Sequence, residues 1–100
     1  LEENEMVKVI AKFFVKEDKV EVFLKLAGEL VQESRKDEGC INYNLVQDLN
    51  NKQIFVMLEE WESSSVLKTH MASAHLITTI LKMTPLLHQE NEIAVCKLVF

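Results

Sequence analysis

The residues of this chain best suited to chemistry crowd into one short stretch: Glu60-Trp61-Glu62-Ser63, then His70, then Ser73-Ala74-His75. The stretch holds the single Trp and two of the three His. Imidazole trades protons near neutral pH, so His70 is the candidate general base, or the donor that orients a substrate oxygen. Glu60 is the candidate to accept the ring proton of His70 and so fix its tautomer. Trp61 closes a strand pattern, where one ring can be pocket wall and core at once. Tyr43 can offer a phenolic hydrogen bond to a substrate oxygen. Asn42 shares a strand face with Asn44, which can line a cavity or mark an exposed edge. His75 follows a predicted helix cap at Ser73, where the helix N-terminus disfavours an imidazolium.

Each residue also has a plainer role. His70 can be a helix-edge histidine bonded to backbone, Glu59 or Glu60, and His75 can simply pack. Trp61 and Tyr43 can be strand aromatics. His88, in a polar segment after Pro85, reads as solvated. His70 and His75 stand five apart across a predicted helix break, unlike the i, i+4 pair that shares a helix face. No Cys lies near them, so no metal site is expected. Ser63, Ser64 and Ser65 read as a capping cluster, not a nucleophile elbow.

Three kinds of pattern must position these groups. Met6 to Phe14 alternates as a strand, with Val7, Val9, Ala11 and Phe13 on one face and Ile10 and Phe14 on the other. Val20, Phe23, Leu24, Ala27, Leu30 and Val31 form a stripe of helical period, with Glu17 and Asp18 at its start and Gly39 as its left-handed stop. Gly28 interrupts that helix, and close packing against a neighbour is the expected reason. Cys40 to Gln47 and Gln53 to Trp61 read as a hairpin around the turn residues 48–52. Ser63 and Ser73 each cap a helical segment, Pro85 ends the second, and Glu92 to Phe100 reads as a last strand.

The order strand, helix, strand, strand, helix, strand predicts an α+β, ferredoxin-like split βαβ fold with an antiparallel sheet and helices on one face. The strands are apolar on both faces, whereas a sheet with one wet face should alternate. A second copy is the expected cover, giving a homodimer packed sheet to sheet.

Composition narrows the partners. With 100 residues and 48% hydrophobic content the chain makes one domain, expected over 6–100 with residues 1–5 as an N-terminal tail and Met6 as the native start. The net charge of −5 repels phosphate backbones, so nucleic acid is not an expected partner. No apolar run is long enough to span a bilayer, and no basic-then-apolar leader is read. Cys40 and Cys96 form no CxxC pair and read as reduced thiols in a cytoplasmic protein. Gly28 and Gly39 cannot build a phosphate-cradling loop.

Asp37-Glu38-Gly39-Cys40 running into Tyr43, the acidic context around Trp61, His70, and Ser73-x-His75 together resemble the antibiotic biosynthesis monooxygenase domain family of the dimeric α/β-barrel superfamily. The spacing of elements is similar from Met6 to Phe100. The resemblance implies small homodimers, several of which oxidise phenols or quinols with O2 and no metal, flavin or haem. Without a cofactor the substrate must supply the electrons, and the protein supplies desolvation, orientation and a proton acceptor. On that reading His70 takes or shares a phenol proton, Glu60 orients it, and Trp61, Tyr43 and Phe55 hold the ring.

Two branches of the family fit poorly. Where a polyketide-oxidising branch has Asn and Tyr around the Trp, this chain has Met57 and Leu67. Where a haem-degrading branch has Trp and a haem-ligating His, it has His70 and Ile80. The expected activity is therefore a cofactor-independent monooxygenase acting on a quinol or phenolic molecule. The alternatives are an isomerase of a phosphorylated sugar-like signal, or a non-catalytic ligand-binding or stress-response module.

Overall fold

The computed structural model describes residues 5–100. The expected tail at 1–5 therefore lies, but for Glu5, outside the described residues. Strand β1 (Val7–Phe14) leads through a 3-10 turn at Glu17–Lys19 into helix α1 (Val20–Ser34). The hairpin β2 (Cys40–Gln47) and β3 (Ile54–Trp61) follows, then α2 (Ser64–Met71), α3 (Ala74–Met83) and β4 (Glu92–Cys96). The sheet order is β2-β3-β1-β4, with every neighbouring pair antiparallel. This is the ferredoxin-like arrangement, with its second helix broken in two. None of the described helices is long and apolar enough to cross a membrane.

Alternation in β1 and β3 decides what the helices cover. The register sets Val7 opposite Trp61, Ala11 opposite Met57 and Phe13 opposite Phe55, so these side chains share one face and are buried. Helix α1 lays Phe23, Ala27, Leu30 and Val31 on that face. Phe23 packs between Phe13 and Phe55, with ring centroids 5.5 and 5.2 Å away. Truncating such a core aromatic costs about 3–5 kcal/mol, so this contact anchors the helix to the sheet.

Two expectations from the sequence are corrected. The last strand stops at Cys96, because Cys96 already pairs with Lys8 and β1 itself begins at Val7. Leu98, Val99 and Phe100 run past the end of their partner and are exposed. Gly28 does not mark close packing, since a Cβ built there meets no atom within 4 Å.

β4 also differs in what covers it. Ile93 pairs with Ala11 and Val95 with Val9, which places both on the helical face, yet they stay 53% and 55% exposed. The helical layer leaves this edge of the sheet uncovered.

Candidate active site

Between the sheet and α3, next to the uncovered β4, lies a cavity of about 350 Å³. Val9, Ala11, Phe13, Tyr43 and Met57 form its floor, and Leu76, Ile77, Ile80 and Leu81 of α3 form one wall. Its volume falls in the range that holds a small organic ligand. Only a few polar residues interrupt the apolar lining, among them His70, Glu59 and Asn91.

His70 is placed by two local devices. Ser63 caps α2 by accepting the Val66 N–H, and Ser73 caps α3 by accepting the Leu76 N–H. The Ser73 hydroxyl also donates to the His70 carbonyl at 2.6 Å, which stitches the break between the helices. Packed within this frame, the His70 ring lies 4.4 Å from the Trp61 ring and 5.5 Å from the Tyr43 ring, and is 1% exposed.

The carboxylate that meets His70 is Asp37. His70 Nδ1 and Asp37 Oδ2 are 2.7 Å apart. The same oxygen lies 2.9 Å from His75 Nε2. An ionised carboxylate only accepts, so both nitrogens carry their protons in this arrangement. Nε2 of His70 is then the bare nitrogen, and among the described residues it has no hydrogen-bond partner.

Gly39 brings Asp37 to this position. Helix α1 already ends at Ser34, so Gly39 is not the stop expected of it; the glycine φ of +80° turns the chain into β2, and a Cβ there would sit 2.5 Å from Val66 Cγ2. Only glycine lets the loop approach α2 so closely.

Burial lowers the pKa of His70 and outweighs the opposing hydrogen bond and charge of Asp37, while His75 adds to the lowering. A neutral imidazole able to accept a proton results.

Asp37 is one site residue absent from the sequence candidates, and Glu59, considered there only as a possible partner of His70, is another. Glu59 is 7% exposed, lines the cavity, and accepts the Trp61 indole N–H at 2.9 Å. Burial pushes its pKa up to about 7, against the lowering effect of the Trp61 bond. The same burial, helped by the Glu59 charge, pushes the Tyr43 phenol well above its ordinary value and keeps it a donor. The signal for Glu59 was present in the sequence: it shares the odd-numbered face of Phe55, Met57 and Trp61.

The remaining candidates scatter. Glu60 points to the opposite sheet face, where Lys8 Nζ holds it at 2.9 Å, so the orienting contact expected of it falls to Asp37. Asn42 is exposed and pairs with Glu60 across the strands. Trp61 is fully buried behind His70, outside the lining. Phe55 belongs to the Phe13–Phe23 cluster and not to the cavity wall. His75 meets Asp37 outside the cavity, so the helix break brings together two histidines that spacing alone had set apart. Asp37, His70 and His75 are the described residues whose donor atoms could hold a metal.

Comparison with known proteins gives this geometry a context. Residues 6–80 match the family model for antibiotic biosynthesis monooxygenase. The candidate monooxygenase YcnE of Bacillus subtilis (strain 168) is 40% identical over 70 residues, covering 70% of this chain and 74% of YcnE. A conserved protein from Methanosarcina mazei Go1 superposes with a TM-score of 0.90 at 36% identity, over 94% of this chain and 93% of its own. A crystal structure of an antibiotic biosynthesis monooxygenase superposes equally well, with a TM-score of 0.90 at 29% identity over 94% of this chain and 99% of that one. Matched by the family model over most of its length, this chain belongs to the antibiotic biosynthesis monooxygenase family.

Proposed function

We propose that the protein is a cofactor-independent monooxygenase that oxidises a quinol or related phenolic molecule with O2. One observation carries this reading: an apolar cavity whose wall holds an imidazole backed by a carboxylate, with its second nitrogen unpaired. In the reaction, His70 Nε2 takes the hydroxyl proton of the substrate and Asp37 steadies the imidazolium. The ring anion gives its electrons to O2 at a ring carbon. For a carbon bearing two hydrogens in its keto form, one oxygen atom stays as a carbonyl. The other leaves with both hydrogens as water. The apolar lining keeps bulk water away from the anion.

A homodimer packed through the outer sheet face belongs to the same proposal, as does a cytoplasmic setting. Cys40 and Cys96 as free thiols support the latter. A phosphorylated substrate is disfavoured. The lining residues include no Lys or Arg, and a charged Glu59 would repel the phosphate.

Oxygen uptake by metal-free protein with reduced naphthoquinols and phenols tests the reading, against a protein-free autoxidation control. Uptake should exceed autoxidation and fall about 10²–10⁴-fold in His70→Ala. Asp37→Asn, nearly isosteric, should also fall while its thermal unfolding shifts little. Background uptake across the panel would leave a ligand-binding module. A loss in His70→Ala that only tracks lost stability would remove His70 from the chemistry.

A further inference from the structure

Asp37, His70 and His75 come from three separate elements: the loop after α1, the end of α2 and the first turn of α3. Their donor atoms lie within 4.8 Å of one another. A zinc-like ion stands about 2.0–2.2 Å from each imidazole nitrogen or carboxylate oxygen, which sets tetrahedral donors about 3.3 Å apart. The Asp37 oxygen is 2.7 Å from one nitrogen and 2.9 Å from the other. Opening each of these two gaps by about half an ångström brings the carboxylate oxygen to that spacing from both nitrogens.

The surroundings favour a cation independently of this spacing. A second pocket, of about 250 Å³, is lined by Asp37, Glu38, Ser65, Thr69, His70 and Ser73 together with Val66, so it is more polar than the first cavity. It reaches two of the three ligands, Asp37 and His70, and has room for water beside them. Asp37 is hydrogen-bonded to the two histidines and, among the described residues, is paired with no Lys or Arg. The negative charge at the cluster is thus not already spent on a side-chain cation.

We propose that Asp37, His70 and His75 bind one first-row divalent cation of the Zn²⁺ class, through two imidazole nitrogens and one carboxylate oxygen. Two histidines and a carboxylate are a donor set that such ions accept. Binding has a direct chemical consequence. With Nδ1 of His70 on the cation, the ring proton moves to Nε2, and that nitrogen changes from acceptor to donor. The cation then silences the base. This consequence rests on the monooxygenase reading, whereas the binding itself does not.

Calorimetric titration of chelator-stripped, tag-free protein with Zn²⁺ decides the matter without any substrate. One equivalent per chain should bind. His75→Ala and Asp37→Asn should each weaken binding at least tenfold, and His88→Ala should leave it unchanged. Nitrogen NMR of the imidazoles should show the His70 proton moving to Nε2 as Zn²⁺ is added, a shift that a purely structural role would not produce. Absence of saturable binding would overturn the site, as would binding indifferent to both His75→Ala and Asp37→Asn. Where O2 uptake is measurable, Zn²⁺ should inhibit the wild type and spare His75→Ala. Equal inhibition of both would overturn the switch. Absence of uptake altogether would count against the monooxygenase reading and leave the titration result standing.

Discussion

Glu59 is a carboxyl group held against Trp61 in an apolar cavity wall, and its stability effect has a definite sign. Below the ordinary carboxyl pKa of 4.5 it is protonated in both folded and unfolded chains, so it contributes no pH dependence. As pH rises from there to about 7, the unfolded chain ionises while the folded chain holds its proton. The unfolded state then binds fewer protons, so stability falls with pH across this window. The loss approaches about 3 kcal/mol above pH 7. Glu59→Gln keeps the acceptor oxygen for the Trp61 N–H and removes the titration. The variant should therefore show a flatter stability profile between pH 4.5 and 7 and exceed the wild type at pH 8, as read by urea unfolding at several pH values. Parallel profiles for the two proteins would mean that Glu59 is solvated as it ionises.

At the scale of elements, the two glycines respond to substitution in opposite directions. Gly28 sits on the exposed side of α1 with open space where a Cβ would go, so Gly28→Ala should stabilise the fold by about 1 kcal/mol. Gly39→Ala forces a side chain into a positive φ and against Val66, and should cost about 1–3 kcal/mol or more. It should also loosen Asp37 from His70, which nitrogen NMR of the imidazole would register. Thermal unfolding of both variants checks the pair; a stable Gly39→Ala with its His70 signal unmoved would mean that the loop position does not depend on glycine. Elements of this kind were readable because they rest on local rules. The β1 alternation, the α1 stripe and the Ser63 and Ser73 caps each need only neighbouring residues to be recognised, whereas α1 stops at Ser34, before the Gly39 expected to end it. The end of β4 was not readable, since it depends on where β1 begins in a register set by tertiary pairing. The partner of His70 was hidden for the same reason. Asp37 lies 33 positions earlier in the chain, and Glu60 looked nearer only along the sequence.

At the scale of the whole molecule, the described residues leave one face of the sheet without cover. Ile10, Leu58 and Val46 on that face are each 40% or more exposed in the single chain, with Phe14, Ile54 and Val56 beside them. The helices all lie on the other face, so they cannot bury these side chains. Among them the Lys8–Glu60 pair, 2.9 Å apart, is a polar contact that must keep its hydrogen bonds if water is excluded. A second copy brought face to face would cover this apolar surface and give the pair a fixed place in the interface. Wild-type protein should then sediment as a dimer at micromolar concentration. Ile10→Asp sets a carboxylate between Ala94 and Leu58 at the centre of the face, where desolvating it in a dimer costs several kcal/mol. In a monomer that carboxylate stays in water. The variant should sediment as a monomer while its circular dichroism remains that of the wild type, because Ile10 contributes to the outer face and not to the core. Val22→Asp, an equally exposed change on α1, should leave the dimer intact. If the wild type runs as a monomer, or if Ile10→Asp remains dimeric, the outer sheet face is not what joins two copies of this chain.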